Sequence, residues 1–168
     1  MTTIVLNKNV MAADSQVTSS HITTGFQKIH ETDIGIYGFA GDAYDLEILI
    51  KAMDALYTDS QLVMDEDEEV YLVKPEIIMV DTSHTEDTYS QCVYFIKETG
   101  ETGLAKLDAK GCVRRISMQQ PIALGSGQDF AITAIQLGKS AKEAVKAAIA
   151  LDPYSGGEIQ TVKCKIKS

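Results

Sequence analysis

The feature that most restricts this fold is a pair of short apolar, β-branched runs at the start of the chain. Residues 3–6 read as a strand, Asn7-Lys8-Asn9 as a tight turn and residues 10–13 as the returning strand. A hairpin placed there pins the first residues into a sheet, where most chain ends fray. The far end carries a second such signal. Val162, Cys164 and Ile166 alternate with Lys163, Lys165 and Lys167, which predicts a last strand with its apolar side chains inward.

Between these ends the pattern predicts strands over residues 26–31, 34–40, 75–80, 91–97, 112–116 and 122–124. Turns are expected at 99–103 and 108–111. Helical periodicity runs over 43–56 through Leu46, Ile50 and Met53, and over 128–137 up to Gly138. Ser140-Ala141-Lys142-Glu143 is a capping box opening a helix with the stripe Ala144, Val145, Ala148 and Ile149, which stops at Asp152-Pro153. The acidic stretch within 59–69 reads as a solvated loop. Strands at both ends, one early helix and a late helix pair predict two sheets between helical layers. That is an α+β, four-layer α-β-β-α sandwich in a single domain, 1–168.

Composition narrows the function. The 168 residues suffice for one domain with a real core, and no apolar run approaches the ~20 residues of a membrane span. No basic-then-apolar leader opens the sequence, so secretion is not expected. Cys92, Cys112 and Cys164 are widely spaced, odd in number and without a CxxC, the usage of reduced thiols in a cytoplasmic protein. A net charge of −9 argues against nucleic acid and anionic membranes as partners. His21, His30 and His84 lack metal-ligand spacing, and the acidic run lacks the alternating ligands and glycine of a calcium loop. Gly125-Ser126-Gly127 precedes a helix but lacks a dinucleotide or P-loop pattern, so neither metal nor cofactor is expected.

Thr2 by itself reads as an ordinary residue after a start Met, but it has the makings of a candidate nucleophile. Removal of Met1, which the small Thr side chain permits, leaves an α-amine and a hydroxyl on one residue, a base and a nucleophile together. A retained Met1 acylates that amine. Asp14 ends the second strand and by itself reads as a turn residue; Lys28, in a short strand, by itself reads as solvent-facing. Gly41 sits at a strand-to-helix junction, where backbone N–H groups are exposed and electropositive.

Thr2-Thr3-Ile4-Val5, Ala13-Asp14-Ser15, Lys28, Phe39-Ala40-Gly41, Gly125-Ser126-Gly127-Gln128 and Asp152-Pro153-Tyr154-Ser155-Gly156-Gly157 occur in one order at similar intervals in a known family. In these the chain resembles proteasome β-type subunits and the bacterial HslV peptidase, which are N-terminal nucleophile hydrolases. The resemblance implies that Thr2 is the nucleophile and its α-amine the general base. It implies that Lys28 lies beside Thr2 in a salt bridge with Asp14, that the Gly41 N–H forms the oxyanion hole, and that Ser126, Asp152 and Ser155 orient the amine. It also implies an apolar specificity pocket of Val17, Phe26, Phe39 and Ala43, with Thr18 and Gly41 pairing to an extended peptide. The substrate is then a peptide or unfolded protein, the assembly a homo-oligomeric ring, and an ATPase unfoldase a possible partner. Residues 58–74 show no helical stripe where the family carries a second long helix. A non-catalytic ring subunit and a small-molecule amidase of the same class remain open as alternatives.

Overall fold

The first hairpin forms as its sequence dictates. The turn residues Lys8 and Asn9 both take positive φ (49° and 58°), the mirror-image turn whose twist matches that of paired strands. It joins β1 (Thr3–Asn7) to β2 (Val10–Ala13). The structure, a computed structural model, describes residues 2–18, 21–58, 61–64, 66–67, 70–73, 77–79 and 90–168. Met1, His84, Asp65, Glu68 and Glu69 lie outside the described residues, as do Pro75, Glu76 and Val80 of the expected 75–80 strand.

The remaining elements, in order, are β3 (Val17–Thr18), β4 (Ile22–Thr23), β5 (Ile29–Glu31), β6 (Gly35–Ala40), a 3-10 turn (Ala43–Asp45), α1 (Leu46–Thr58), β7 (Gln61–Met64), β8 (Val70–Val73), β9 (Ile77–Met79), β10 (Ser90–Ile96), β11 (Thr102–Leu107), β12 (Cys112–Ser117), β13 (Ile122–Gly125), α2 (Gln128–Gln136), α3 (Ala141–Leu151) and β14 (Gln160–Lys163). One sheet runs β13-β1-β2-β14 and the other β5-β6-β10-β11-β12-β9. All strand pairs in both are antiparallel.

Alternation along each strand decides the layers. Ile4, Leu6 and Met11 turn toward the second sheet and meet Ile29, Ile36, Val93 and Phe95. Val5 and Ala12 turn the other way onto Ala131, Ala144, Val145 and Ala148 of α2 and α3. On the far side of the second sheet, Tyr37, Phe39, Tyr94 and Ile96 cover Leu49, Met53 and Leu56 of α1. The result is α2/α3, sheet, sheet, α1: the four-layer α-β-β-α sandwich. Gly38 lets the sheets close, since a Cβ there would lie 2.6 Å from Ile4 Cγ2.

Several local expectations are corrected. The 26–31 strand contracts to β5: the Gln160 side-chain amide takes the Phe26 carbonyl and the Lys28 and Ile29 N–H groups, while the Lys28 carbonyl still accepts from the Phe39 N–H of β6. β11 takes in Thr102 and Gly103, expected as turn residues; Gly103 fits there because a Cβ would overlap the Ile116 carbonyl. The acidic loop is flanked by a β7–β8 hairpin. β14 ends at Lys163, so Ile166 is 58% exposed and lies over Gly100, not inward. No helix among the described residues is long and apolar enough to cross a membrane.

Candidate active site

β1 is an interior strand, and its antiparallel neighbours end where it begins. The register pairs Thr3 with Gly125 of β13 and Ile4 with Ala13 of β2. Asp14, directly after β2, therefore arrives beside Thr2 on one flank and the Gly125-Ser126 turn on the other. Lys28 and Gly41 come from the second sheet, just before β5 and just after β6. The site sits where the two sheets meet at one end.

Asp14 is completely buried and Thr2 and Lys28 are each 3% exposed. The Thr2 hydroxyl is 2.6 Å from Asp14 Oδ1, the Lys28 ammonium 2.7 Å from that same oxygen, and Lys28 Nζ also donates to Thr2 Oγ1. The Thr3 N–H adds a third donor to Oδ1 at 2.9 Å, while Gln16 N–H (3.2 Å) and Gly156 N–H (2.9 Å) fill Oδ2. A buried carboxylate needs such saturation, because stripping it of water costs several kcal/mol. Burial lowers the Lys28 pKa, an effect that Asp14 opposes through its charge and hydrogen bond.

A second carboxylate organises the other flank. Asp152 Oδ2 accepts from the Ser126 hydroxyl (2.5 Å) and the Ser155 hydroxyl (2.6 Å), and its Oδ1 accepts from the Tyr154 N–H (3.1 Å). Burial pushes its pKa up, but these three donors outweigh burial and hold it below the usual carboxylate range. Ser155 Oγ also lies 2.7 Å from Thr3 Oγ1. The glycines of the 125–127 turn make room for the terminal residues. A Cβ on Gly125, at φ +102°, would overlap the Thr2 carbonyl, and one on Gly127 would overlap Thr3 Oγ1.

A cleft of about 560 Å³ opens onto Thr2, lined also by Thr18, Ala40, Gly41, Asp42, Gln91, Leu124, Gly125, Ser126 and Gln128. Of the substrate-binding residues expected from the sequence, Thr18 lines this cleft. Val17, Phe26, Phe39 and Ala43 do not. Phe39, 3% exposed, packs onto α1 because strand alternation points it away from the first sheet, and Ala43 is exposed on the 3-10 turn. The lining is consequently mixed, not the apolar floor expected. Sequence reasoning missed Gly156, Gln16 and the Thr3 hydroxyl, whose contacts link residues more than 100 positions apart or run through the backbone. The Gly-rich 125–127 segment was a visible signal whose meaning lay in the space it leaves.

Two of the three thiols are poor alternatives as nucleophiles: burial pushes the Cys92 pKa up to about 12 and that of Cys164 up to about 11. Among the described residues no cluster of His, Cys, Asp or Glu could hold a metal ion.

Two solved structures share the fold. A Thiobacillus denitrificans protein, BPH in complex with epoxomicin, is 16% identical with a TM-score of 0.59, covering 99% of each chain. Eukaryotic HslV from Trypanosoma brucei is 18% identical with a TM-score of 0.56, covering 96% of this chain and 97% of that one. No curated protein sequence matches the chain. The family model described as "Proteasome subunit" matches residues 5–164. With that match spanning nearly every element of the sandwich, the chain belongs to the proteasome subunit family, within the N-terminal nucleophile hydrolases.

Proposed function

We propose that the mature chain is a threonine peptidase whose nucleophile is Thr2 Oγ1 and whose general base is the Thr2 α-amine, freed by loss of Met1. The observation that carries this reading is the convergence of Thr2 and Lys28 on one buried oxygen of Asp14 at the edge of a cleft that also holds Gly41. An ordinary α-amine has a pKa of about 7.7–8.0, so about one in eight is neutral at pH 7. An adjacent ammonium lowers that value and enlarges the base fraction. Asp14 fixes that ammonium against Thr2, and Ser126, Asp152 and Ser155 brace the residues that carry the amine.

In this mechanism an extended peptide pairs with backbone at Thr18 and Gly41. Thr2 Oγ1 attacks the scissile carbonyl as its proton passes to the α-amine, and the carbonyl oxygen takes up negative charge facing the Gly41 N–H. Collapse breaks the C–N bond, the leaving amine takes the proton, and an ester to Thr2 remains. Water, deprotonated by the same amine, hydrolyses that ester. The reaction draws on no metal or organic cofactor. Ring assembly from copies of this chain, a cytoplasmic location and delivery of unfolded protein by an ATPase belong to the same proposal; ring formation is typical of the family.

The test is intact mass combined with turnover. The wild type should lose one Met, hydrolyse reporter peptides and gain the mass of epoxomicin, the ligand of the Thiobacillus relative. Thr2→Ala should fold and assemble, yet neither hydrolyse reporter peptides nor gain the mass of epoxomicin. Peptide turnover by Thr2→Ala equal to wild type overturns the assignment, and a chain that keeps Met1 and stays inert is a non-catalytic subunit.

A further inference from the structure

Ser90 and Asp45 lie outside the cleft lining and outside every motif of the sequence reading, yet both are buried, at 0% and 2% exposure. Ser90 opens β10 and Asp45 ends the 3-10 turn that leads into α1. The Ser90 hydroxyl is 2.6 Å from Asp45 Oδ2, and the Asp42 N–H donates to Ser90 Oγ at 3.2 Å. A carboxylate can only accept, so the hydroxyl proton is committed to Asp45 and the Ser90 lone pairs face the Asp42 N–H. The hydroxyl is thereby held in a single orientation.

That orientation matters because of what it fixes. Gly41 has φ +146°, and a Cβ on it would lie 2.6 Å from Ser90 Cα, so the glycine is pressed against Ser90. The peptide before Gly41 closes β6, where Ala40 pairs with Gln91, the residue next to Ser90. The peptide after Gly41 carries the Asp42 N–H that Ser90 holds. Both peptide planes flanking Gly41 are thus set by the start of β10.

We propose that Ser90 and Asp45 are positioning residues that aim the Gly41 N–H at the developing oxyanion, with Asp45 acting through Ser90. This rests on the peptidase reading above and adds a buried pair to it. Asp45 also ties the aim of that N–H to the 3-10 turn before α1. Substrate in its ground state gains little from this alignment; the charged intermediate gains most.

The test uses the mature chain with Ser90→Ala and Asp45→Asn. Loss of an entire oxyanion donor costs ~100–1000-fold in kcat, so misalignment by Ser90→Ala should cost about 10–100-fold with KM changed less than about threefold. Affinity for a peptide aldehyde, which reproduces the tetrahedral oxyanion, should fall in parallel with kcat/KM. Asp45→Asn keeps an acceptor oxygen of the same shape and should lie between the two, which keeps the idea testable if Ser90→Ala folds poorly. Wild-type kcat and aldehyde affinity in both folded variants overturn the inference while leaving the peptidase reading intact. A rise in KM matching the fall in kcat/KM, with kcat unchanged, overturns it too. An inert, fully processed wild type overturns both.

Discussion

Replacing Lys28 by Met separates what the ammonium does for the fold from what it does for the chemistry. The thioether stem occupies much of the same buried volume, and only the charge and its donors vanish. Breaking a buried ion pair by deleting one partner ordinarily costs ~3–5 kcal/mol because the survivor is stranded. Asp14 is not stranded here. It keeps the Thr2 hydroxyl and the Thr3, Gln16 and Gly156 N–H groups. Burial also disfavours the Lys28 ammonium itself, so its removal relieves part of that strain. The net loss of stability should therefore be about 2 kcal/mol, a melting-temperature drop of roughly 4–8 °C for a domain of this size. The catalytic cost should be larger in consequence. A cation ~4 Å from a reacting group is worth about 4 kcal/mol at an effective dielectric of 20, and the Asp14 charge cancels about half. With about 1 kcal/mol more for the hydrogen bond to Thr2 Oγ1, kcat/KM should fall by about 100-fold. The acid limb of the pH–rate profile should move to higher pH, since a cation lowers the pKa of a neighbouring amine and its loss raises it. Steady-state peptide hydrolysis across pH, paired with thermal denaturation, measures both. An acid limb that stays put, or a rate within threefold of wild type, refutes the electrostatic role.

Gly125→Ala should cut turnover by at least about 100-fold, because the added Cβ must displace the Thr2 carbonyl at a φ that already disfavours alanine; wild-type turnover by a folded variant refutes the proposed geometry. Asp152→Asn tests the second carboxylate through pH. A pKa held below its unfolded value stabilises the fold above the unfolded carboxylate range, an advantage lost as pH falls through the folded pKa. The gap in urea stability between wild type and Asp152→Asn should therefore be full at pH 7 and narrow progressively as pH falls below the ordinary carboxylate range. A gap constant across that range counts against the hydrogen-bonded carboxylate.

Much of this arrangement was written locally. The first hairpin, the capping box at Ser140 and the stop at Asp152-Pro153 depend on residues within a few positions of one another, and the structure has them where the pattern puts them. What failed was non-local. Nothing near Phe26 announces that Gln160, over 130 positions away, will satisfy the backbone there and shorten the strand. The family resemblance puts Phe39 in the specificity pocket. Yet both faces of β6 are buried, and alternation gives Ile36 to the inter-sheet core and Tyr37 and Phe39 to α1. Lys28 illustrates the same limit: a lysine in a strand ordinarily points to water. Its burial depends on a carboxylate from another sheet, visible beforehand only through the resemblance of spaced motifs.

The precision of the site is in the end a property of the apolar residues beside it. Thr2 precedes Ile4, Val5 and Leu6, each completely buried, with Ile4 and Leu6 facing the second sheet and Val5 facing α2 and α3. A slip of one residue in the β1 register would invert all three, sending Val5 between the sheets and Ile4 and Leu6 toward the helices. It would also carry the Thr2 hydroxyl about 3 Å along the strand, out of reach of Asp14. Each such side chain is worth ~1.5–3 kcal/mol buried as against exposed, and the inverted set would have to refit interfaces shaped for the other. Several kcal/mol of packing therefore hold a hydroxyl whose own hydrogen bonds contribute about 1–3 kcal/mol apiece. The hairpin would stay in register without these polar groups, which leaves them free, on the proposed mechanism, to be arranged for reactivity instead of stability.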